Sequence, residues 1–329
     1  MFTLASHLNP KLFAPDIESV ATRMGFGIGL REAGEKQSAI VALCADLTES
    51  TRMIDFKEKF PERFLQVGIG EQSMASVASG MAAMGKIPFI ASYAMFSPGR
   101  NWEQVRTTIA YNGANVKIVG AHAGVSVGPD GATHQAIEDI ALMRVIPRMC
   151  VVSPADTLEA KRATHAIAES VGPAYMRLAR ENTPVITTEA SPFTLGKAET
   201  YLFRDEVHEK KVGIIATGVV LYEALKAAKQ LNEQGIGASV MNLATIKPLD
   251  TGAVLAFAKE HGAIITVEEH QQAGGMGSAV TEFLSSTHPT KVVRLGVDDR
   301  FGESGTVLEL WHLFGLNAEA IVRAAQEVV

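Results

Sequence analysis

The pattern of apolar and polar residues alternates between two periods along the first half of the chain. Short, continuous apolar runs bounded by polar residues are typical of strands buried in a parallel sheet, and they occupy residues 39–45, 64–67, 88–91, 116–121, 150–152 and 174–178. Segments with helical character precede or separate these runs, at 17–35, 71–84, 102–112, 135–145 and 157–171. This alternation predicts an α/β fold, with a mainly parallel sheet that carries helices on both faces.

A polar, proline-containing stretch at 184–192 is predicted to be a linker. The same alternation returns after it, with helices predicted at 219–234 and 251–261 and strands at 212–216, 238–242, 264–268 and 292–295. We therefore predict two three-layer α/β/α domains, one over residues 1–188 and one over residues 189–329.

Composition and charge exclude several functions. Of the 329 residues 47% are hydrophobic, and the net charge of -6 argues against a general affinity for nucleic acid. No apolar run reaches the ~18 residues that a membrane span needs, and the N-terminus lacks the regions of a signal peptide. Cys44 and Cys150 lie far apart in apolar runs and are expected to be buried free thiols. We expect a cytoplasmic protein.

Glu71 stands at a predicted corner between a strand and a helix. The apolar run at 64–67 ends in Gly68-Ile69-Gly70, and Glu71 opens a run of small and apolar residues. A carboxylate in the first turn of a helix complements the macrodipole by roughly 0.3–1 kcal/mol, which explains Glu71 without any function. The same corner would also point the carboxylate into the space above the sheet.

A glycine-rich loop at 121–135 carries His122, Asp130 and His134. It follows a predicted strand, as does the loop with Asp46 and Ser50, so both loops are expected at the edge of the sheet where α/β proteins bind ligands. Imidazole gives and takes protons near neutral pH. A lone loop histidine is usually only solvated, but this combination favours general acid–base chemistry.

Two glycine clusters are weaker signals. The cluster at 25–29 (GFGIG) does not follow a strand and lacks the spacing of a dinucleotide-binding loop, so we reject that function. The cluster at 274–277 (GGMG) could bind a phosphate at a helix N-terminus. Close packing between a strand and a helix explains it as well, and we favour that interpretation.

Several segments resemble a known family. GIGEQSMASVASGMA, PFIASYAMF, AHAGVSVGPDGATHQ and AYMRLAREN resemble the pyrimidine-binding domain of transketolases, and TVEEHQQAGGMGSAV resembles the C-terminal domain of that superfamily. The resemblance covers nearly the whole chain. It implies thiamine diphosphate as cofactor. The superfamily also includes deoxyxylulose-phosphate synthases and the beta subunits of 2-oxoacid dehydrogenases.

The resemblance implies a set of cofactor contacts. Glu71 matches the carboxylate that hydrogen-bonds a ring nitrogen of the aminopyrimidine and favours the tautomer that takes the proton from the thiazolium carbon. Phe96 matches the aromatic residue that stacks on the pyrimidine, with Tyr93 in the same wall. Asp46 and Leu47 match the loop on the thiazolium side.

The resemblance also implies a set of substrate contacts. Asp130 and His134 match residues that contact donor or acceptor hydroxyls, and His134 is a candidate for proton transfer. The sugar-phosphate contacts are matched by Arg23, Ser50, His122 and Arg180. Two guanidinium groups suit an anion site because each can bind a phosphate through paired hydrogen bonds. Arg180 could instead be an ordinary surface arginine.

The chain departs from the family pattern at three points. Ala132 stands where the family often has proline, and a third pocket aromatic residue is replaced near Gly99 and Arg100. Both departures leave the choice of donor and acceptor open. The third is an absence, because the family holds the diphosphate through a divalent metal bound by a G-D-G motif and a later asparagine. Residues 129–131 read P-D-G, and no asparagine follows at the family's spacing.

We therefore predict the C-terminal subunit of a split transketolase, which transfers a two-carbon ketol unit between ketose and aldose phosphates. A separate N-terminal subunit would hold the diphosphate and Mg²⁺ (or Ca²⁺), and two copies of each chain are expected. Half of a 1-deoxyxylulose-5-phosphate synthase and the beta subunit of a 2-oxoacid dehydrogenase are alternatives, although the phosphate contacts argue against the second. A non-catalytic binding subunit with this fold is a third, which the presence of Glu71, Phe96, Asp130 and His134 disfavours.

Overall fold

The computed structural model describes residues 2–204 and 207–329. The strands of these residues are β1 (Phe2–Leu4), β2 (Ser19–Ala21), β3 (Ile40–Cys44), β4 (Phe64–Gln66), β5 (Ile87–Tyr93), β6 (Lys117–Ala121), β7 (Cys150–Val152), β8 (Ala174–Arg177), β9 (Asn182–Pro184), β10 (Glu199–Arg204), β11 (Lys211–Ala216), β12 (Gly237–Asn242), β13 (Thr245–Lys247), β14 (Ala263–Gln271) and β15 (Lys291–Val297). The helices are α1 (Thr22–Lys36), α2 (Ile54–Lys59), α3 (Glu71–Ala83), α4 (Trp102–Gln104), which continues as a π-helix to Tyr111, α5 (Asp139–Arg144), α6 (Thr157–Glu169), α7 (Leu221–Glu233), α8 (Thr251–His261), α9 (Met276–Thr287), α10 (Val307–Leu313) and α11 (Ala318–Gln326).

The first sheet has seven strands in the order β13-β7-β8-β6-β5-β3-β4. Adjacent strands in this sheet are parallel, except that β13 is antiparallel to β7. Every residue of β3 and β6 is buried, as expected of central strands covered on both faces. The predicted α/β class with mainly parallel sheets is therefore confirmed.

The second sheet has six strands in the order β1-β10-β12-β11-β14-β15. Within it, β12, β11, β14 and β15 are each parallel to the next strand in this order. Strand β10 is antiparallel to β12, and β1 is antiparallel to β10. The chain crosses between the sheets four times, because β1 joins the second sheet ahead of β3 and β13 joins the first sheet between β12 and β14. The two sheets are therefore interlocked, and the division at residues 188 and 189 stays a prediction.

Glycines allow α1 and α6 to pack closely. A Cβ added at Gly25 would lie 1.7 Å from the Thr157 carbonyl oxygen, and one at Gly29 would lie 2.9 Å from the Lys161 carbonyl oxygen. Helix packing therefore explains the cluster at 25–29. Helix α1 begins at Thr22 rather than at residue 17, because Ser19–Ala21 pairs with Asn182–Pro184 as a strand.

Another predicted segment differs from the structure. The helix expected from residue 135 begins only at Asp139, because the Gln135 amide instead donates hydrogen bonds to the carbonyl oxygens of Val125 and Glu303. The stretch predicted as a linker, 184–192, contains the fully buried Ile186, and its role as a boundary between two domains stays a prediction.

The two cysteines are free thiols, as predicted. Cys44 is buried, but Cys150 is only partly buried, so the prediction holds fully for the first alone. None of the helices within residues 2–204 and 207–329 is long and apolar enough to cross a membrane.

Candidate active site

Two strained loops follow the strands on either side of β5, at the carboxyl edge of the first sheet. Asp46 follows β3 with φ of 61°, and His122 follows β6 with φ of 54°. Positive φ costs a residue other than glycine of order 1–3 kcal/mol, and such strain is concentrated at functional sites. Both strands pair with β5, which ends at Tyr93. The end of β5 therefore lies between the two loops.

Glu71 is the first residue of α3 and only 2% exposed. The Ser92 hydroxyl donates to its Oε1 atom at 3.2 Å, and Arg100 Nη1 donates to its Oε2 atom at 3.1 Å. The Asn101 side chain donates to the Glu71 backbone carbonyl. The carboxylate is thus held in one orientation at the strand-to-helix corner predicted for it.

Aromatic side chains form a wall beside Glu71. The rings of Tyr93 and His122 stack with centroids 4.0 Å apart, and Tyr93 and Phe96 lie 6.1 Å apart. The His134 ring meets Phe96 edge-on at 5.6 Å. The Arg100 guanidinium lies over Phe96, 4.7 Å from the ring centroid. Four residues predicted separately from the sequence are therefore brought into one cluster.

The segment after Phe96 forms a tight turn at Gly99. A Cβ at Gly99 would lie 2.1 Å from the Met95 carbonyl oxygen, so the turn has no room for a side chain. A cleft of about 350 Å³ opens here, lined by residues that include Gly99, Arg100 and Glu138. Arg100 places a cation beside Glu71, in the segment where the resemblance predicts that a third aromatic residue is replaced.

A cationic group lies on the other side of the aromatic wall. Arg23 Nη1 donates to the Ser50 backbone carbonyl at 2.9 Å, and burial together with the Arg180 guanidinium lowers the pKa of Arg23. Burial, with Arg23 and Arg180 nearby, lowers the pKa of His122 to about 3. His122 is therefore neutral at pH 7, and its buried Nδ1 atom has no hydrogen-bond partner among the described residues.

Arg180 is tied to acidic side chains as well. Its Nε atom lies 3.8 Å from Asp130 Oδ2, and it also pairs with Glu181. Its Nη1 atom donates to the Val127 carbonyl, so Arg180 contacts the loop that carries Asp130 and His134. The Thr133 hydroxyl lies 2.9 Å from His134 Nδ1. Arg180 is thus part of the cluster rather than an isolated surface arginine.

The remaining predicted residues contribute less directly. Asp46 is exposed, and its backbone N–H donates to Gln66 Oε1 at 2.8 Å. Ser50 contacts Arg23 through its backbone rather than its hydroxyl. Leu47 is partly buried against the core beneath the sheet. These residues line the rim beside β3, and their roles stay predictions.

Sequence reasoning missed Ser92 and treated Arg100 only as a replacement. Ser92 is a fully buried hydroxyl within a strand, and a serine there carries no local signal of a partner on α3. The replaced aromatic position near Gly99 was the one available signal for Arg100.

Within the part of the chain that the structure describes, no group of three or more histidine, cysteine, aspartate or glutamate side chains is placed to hold a metal ion. At the glycine cluster 274–277, the helix N-terminus is occupied by Glu268, which accepts hydrogen bonds from the backbone N–H groups of Met276 and Gly277. This arrangement favours the packing interpretation.

Comparison with known proteins gives matches over both sheets. Residues 18–185 match the family model of the transketolase pyrimidine-binding domain, and residues 203–321 match that of the transketolase C-terminal domain. The chain is 42% identical over 308 residues to the "Putative transketolase C-terminal section" of Methanocaldococcus jannaschii, with 93% of this chain and 95% of that protein covered.

Two further relatives cover nearly their full lengths. The 6-deoxy-6-sulfo-D-fructose transketolase subunit SqwH of Clostridium sp. strain MSTE9 is 44% identical over 299 residues, which are 91% of each protein. Among solved structures, a split gene transketolase described as an inactive beta4 tetramer matches with a TM-score of 0.85 at 41% identity. That match covers 94% of this chain and 98% of the other.

Proposed function

The chain belongs to the transketolase family as a C-terminal section of the split-gene type, and on that premise we propose that it supplies the pyrimidine side of a two-chain enzyme. The reaction would be reversible transfer of a two-carbon ketol unit from a ketose phosphate to an aldose phosphate. The observation that carries the proposal is the buried Glu71 carboxylate beside the wall of Tyr93 and Phe96.

The residues of this cluster fit the aminopyrimidine of thiamine diphosphate. Phe96 offers a ring face for stacking, and Glu71 offers an acceptor for a ring N–H in a site from which water is largely excluded. When bound, the cofactor supplies a carbon nucleophile and an electron sink for cleavage of the bond beside a ketone. The described residues offer no matching metal cluster for its diphosphate.

Within this proposal Glu71 holds the proton at the pyrimidine nitrogen. The Ser92 hydroxyl and the Arg100 guanidinium orient its carboxylate, because both donate to its oxygens. Asp46 and Leu47 would line the thiazolium side of the site. A separate N-terminal subunit would hold the diphosphate and Mg²⁺ or Ca²⁺.

The cationic group would bind the charged end of the sugar. Arg23 and Arg180 both act on the buried His122, so their positive charges converge on one region. An anion there would offset the repulsion between the two guanidinium groups, and it could accept a hydrogen bond from the neutral His122 ring. Ser50 would complete this region. Asp130 and His134 would contact the sugar hydroxyls, with His134 the candidate for moving a proton.

Reconstitution tests the two-chain proposal. The chain would be purified alone and together with an N-terminal transketolase section, and ketol transfer measured with thiamine diphosphate and Mg²⁺. We expect turnover only with both chains, in an assembly with two copies of each. The relative described as an inactive beta4 tetramer supports this expectation. Robust transfer by the chain alone would overturn it.

The choice of donor tests the reaction itself. Ketose phosphates should serve as donors, whereas pyruvate turnover would favour half of a 1-deoxyxylulose-5-phosphate synthase or a 2-oxoacid dehydrogenase subunit. A sulfonated ketose belongs in the same assay, because the relative from Clostridium is named for one. A guanidinium pair can bind a sulfonate or a phosphate. If the chain associates with the N-terminal subunit but the assembly shows no cofactor-dependent turnover, a non-catalytic binding subunit is favoured.

A further inference from the structure

Glu269 joins the second sheet to the loop that carries Asp130 and His134. It lies in β14 and is only 2% exposed. Its carboxylate accepts hydrogen bonds from the Ser126 backbone N–H at 3.0 Å and from the Ser126 hydroxyl at 2.8 Å. Trp311 Nε1, in α10, donates to the same carboxylate at 2.6 Å. Glu269 thus contacts both α10 and the candidate active-site loop.

A buried carboxylate is a costly way to connect two units of a protein. Burial raises the pKa of Glu269, although Arg177 and the donors from Trp311 and Ser126 oppose this effect. An apolar contact of the same size would usually stabilise the fold at least as well, because it has no desolvation penalty. What a carboxylate adds is direction, since its hydrogen bonds fix where the Ser126 backbone lies.

The loop backbone is pressed directly against this carboxylate. Gly124 has φ of 86°, and a Cβ added there would lie 2.7 Å from Glu269 Oε2. A residue other than glycine would therefore be strained and would also collide with Glu269. The close approach leaves the loop little freedom to shift on its own.

A second segment of the C-terminal half holds the far end of the loop. The Gln135 amide donates to the Glu303 carbonyl at 2.8 Å. A Cβ at Gly131 would lie 2.5 Å from the Ser304 hydroxyl oxygen, so the two backbones are close there as well. Asp130 and His134 lie between these two points of attachment.

We propose that Glu269 is a positioning residue for ketol transfer, which fixes loop 124–135 so that His134 faces Tyr93 and Phe96 and Asp130 lies beside Arg180. This inference rests on the proposed function for its kinetic consequence. Its structural part, the ordering of the loop by one carboxylate, does not depend on which reaction the assembly catalyses.

Glu268 provides a matched control for the test. It precedes Glu269 in the same strand and is 1% exposed. Its carboxylate accepts hydrogen bonds from two backbone N–H groups, at 2.7 and 2.8 Å. Its partners belong to α9, so it does not contact the loop. Glu268→Ala and Glu269→Ala therefore both remove a buried, satisfied carboxylate, but only the second removes contacts to Ser126.

The experiment compares these variants in the full chain and in the assembly with the N-terminal subunit. We expect both alanine variants to lower Tm, but only Glu269→Ala to speed hydrogen exchange at residues 124–135. In the assembly, Glu269→Ala should lower kcat/KM for the sugar phosphate by about 100-fold, the size that misplacement of a reacting group by about 1 Å can produce. Cofactor affinity, measured by titration, should be unchanged.

Glu269→Gln should restore both the loop and the kinetics. The glutamine oxygen can accept from the Ser126 N–H and from Trp311, and its amide can donate to the Ser126 hydroxyl, which can also accept. If Glu269→Ala does not fold, Ser126→Ala removes one hydrogen bond to the same carboxylate and should speed exchange in the loop to a smaller extent.

Two results would overturn the inference. One is equal loss of kcat/KM in Glu268→Ala and Glu269→Ala, and the other is unchanged exchange at 124–135 in the variants that remove contacts to Ser126. Failure of the proposed function would look different. The wild-type assembly would then transfer no ketol unit, while the effect of Glu269 on hydrogen exchange in the loop would persist.

Discussion

Replacing Glu71 by glutamine would remove the charge of the cofactor-facing carboxylate while keeping its shape. The hydrogen bond with Ser92 can survive, because a hydroxyl either donates or accepts. Arg100 loses its counterion at 3.1 Å, but its side chain is 48% exposed and water can solvate the guanidinium. An ion pair in which one partner is half exposed contributes at most about 1 kcal/mol to the free energy of unfolding.

The expected cost to stability is therefore small. A loss of about 1 kcal/mol corresponds to a fall in Tm of roughly 2–4 °C for a large domain. The effect on catalysis should be far larger, because removal of a group that acts on a proton in the reaction typically costs about 10²–10⁴ in rate. Glu71→Gln should thus separate folding from function.

The assay follows exchange of the thiazolium proton by NMR in the assembly with the N-terminal subunit, with Tm measured for the same preparation. Glu32→Gln is the control, because Glu32 also pairs with cationic side chains, at 2.9 Å from His165 and 3.5 Å from Lys161, and both partners lie on α6 rather than in the candidate site. It should lose similar stability and keep normal exchange. Near-normal proton exchange in Glu71→Gln would refute the assigned role, and a fall in Tm well beyond that of Glu32→Gln would refute the stability argument.

Three further predictions follow from the charges. Burial, with Asp156 nearby, raises the pKa of the fully buried Glu159 from 4.5 to about 7, so the folded chain binds the extra proton between these values. The free energy of unfolding should therefore fall as pH rises from about 4.5 to 7, by on the order of 3 kcal/mol from this group. Urea titrations of the wild type and Glu159→Gln should show a flatter pH dependence of this free energy in the variant. Identical pH profiles would contradict the argument. The pKa of His122, lowered to about 3, predicts that its ring stays neutral down to pH 5; NMR of ¹⁵N-labelled histidines checks this, and protonation near pH 6.5 would count against it. Arg180→Met should raise KM for the sugar phosphate by about tenfold or more, as expected for loss of a charged hydrogen bond, with little change in kcat. Steady-state kinetics test this prediction, and an unchanged KM would remove Arg180 from the anion site.

The resemblance to transketolases was available from the sequence because each of its motifs is a continuous segment of the chain. The runs that became β3 and β6 are apolar throughout, since both faces of these strands are covered. Helix α8 has the predicted bounds, because Asp250 caps its start through Ala253 and Gly262 follows its end with a left-handed conformation. Such signals are local, and short-range periodicity and capping decide them.

The exchange of strands between the sheets was not predictable in the same way. β1 and β13 have three residues each, and neither carries a periodic signal that names its partner. β1 pairs with a strand about 200 residues later, and β13 pairs with a strand about 95 residues earlier. Only the packing of the whole chain selects these partners.

The sequence by itself determined the class of fold, the order of the central strands with the helices between them, and the identity of the residues predicted at the carboxyl edge of the first sheet. The tertiary structure decided what each of those residues touches. Glu71 meets Arg100 across 29 residues, and Glu269 meets Ser126 across 143 residues. The physical reason is that hydrophobic periodicity and helix capping act within a few residues, whereas the hydrogen bonds that orient a buried carboxylate depend on groups that meet only once the sheets have packed.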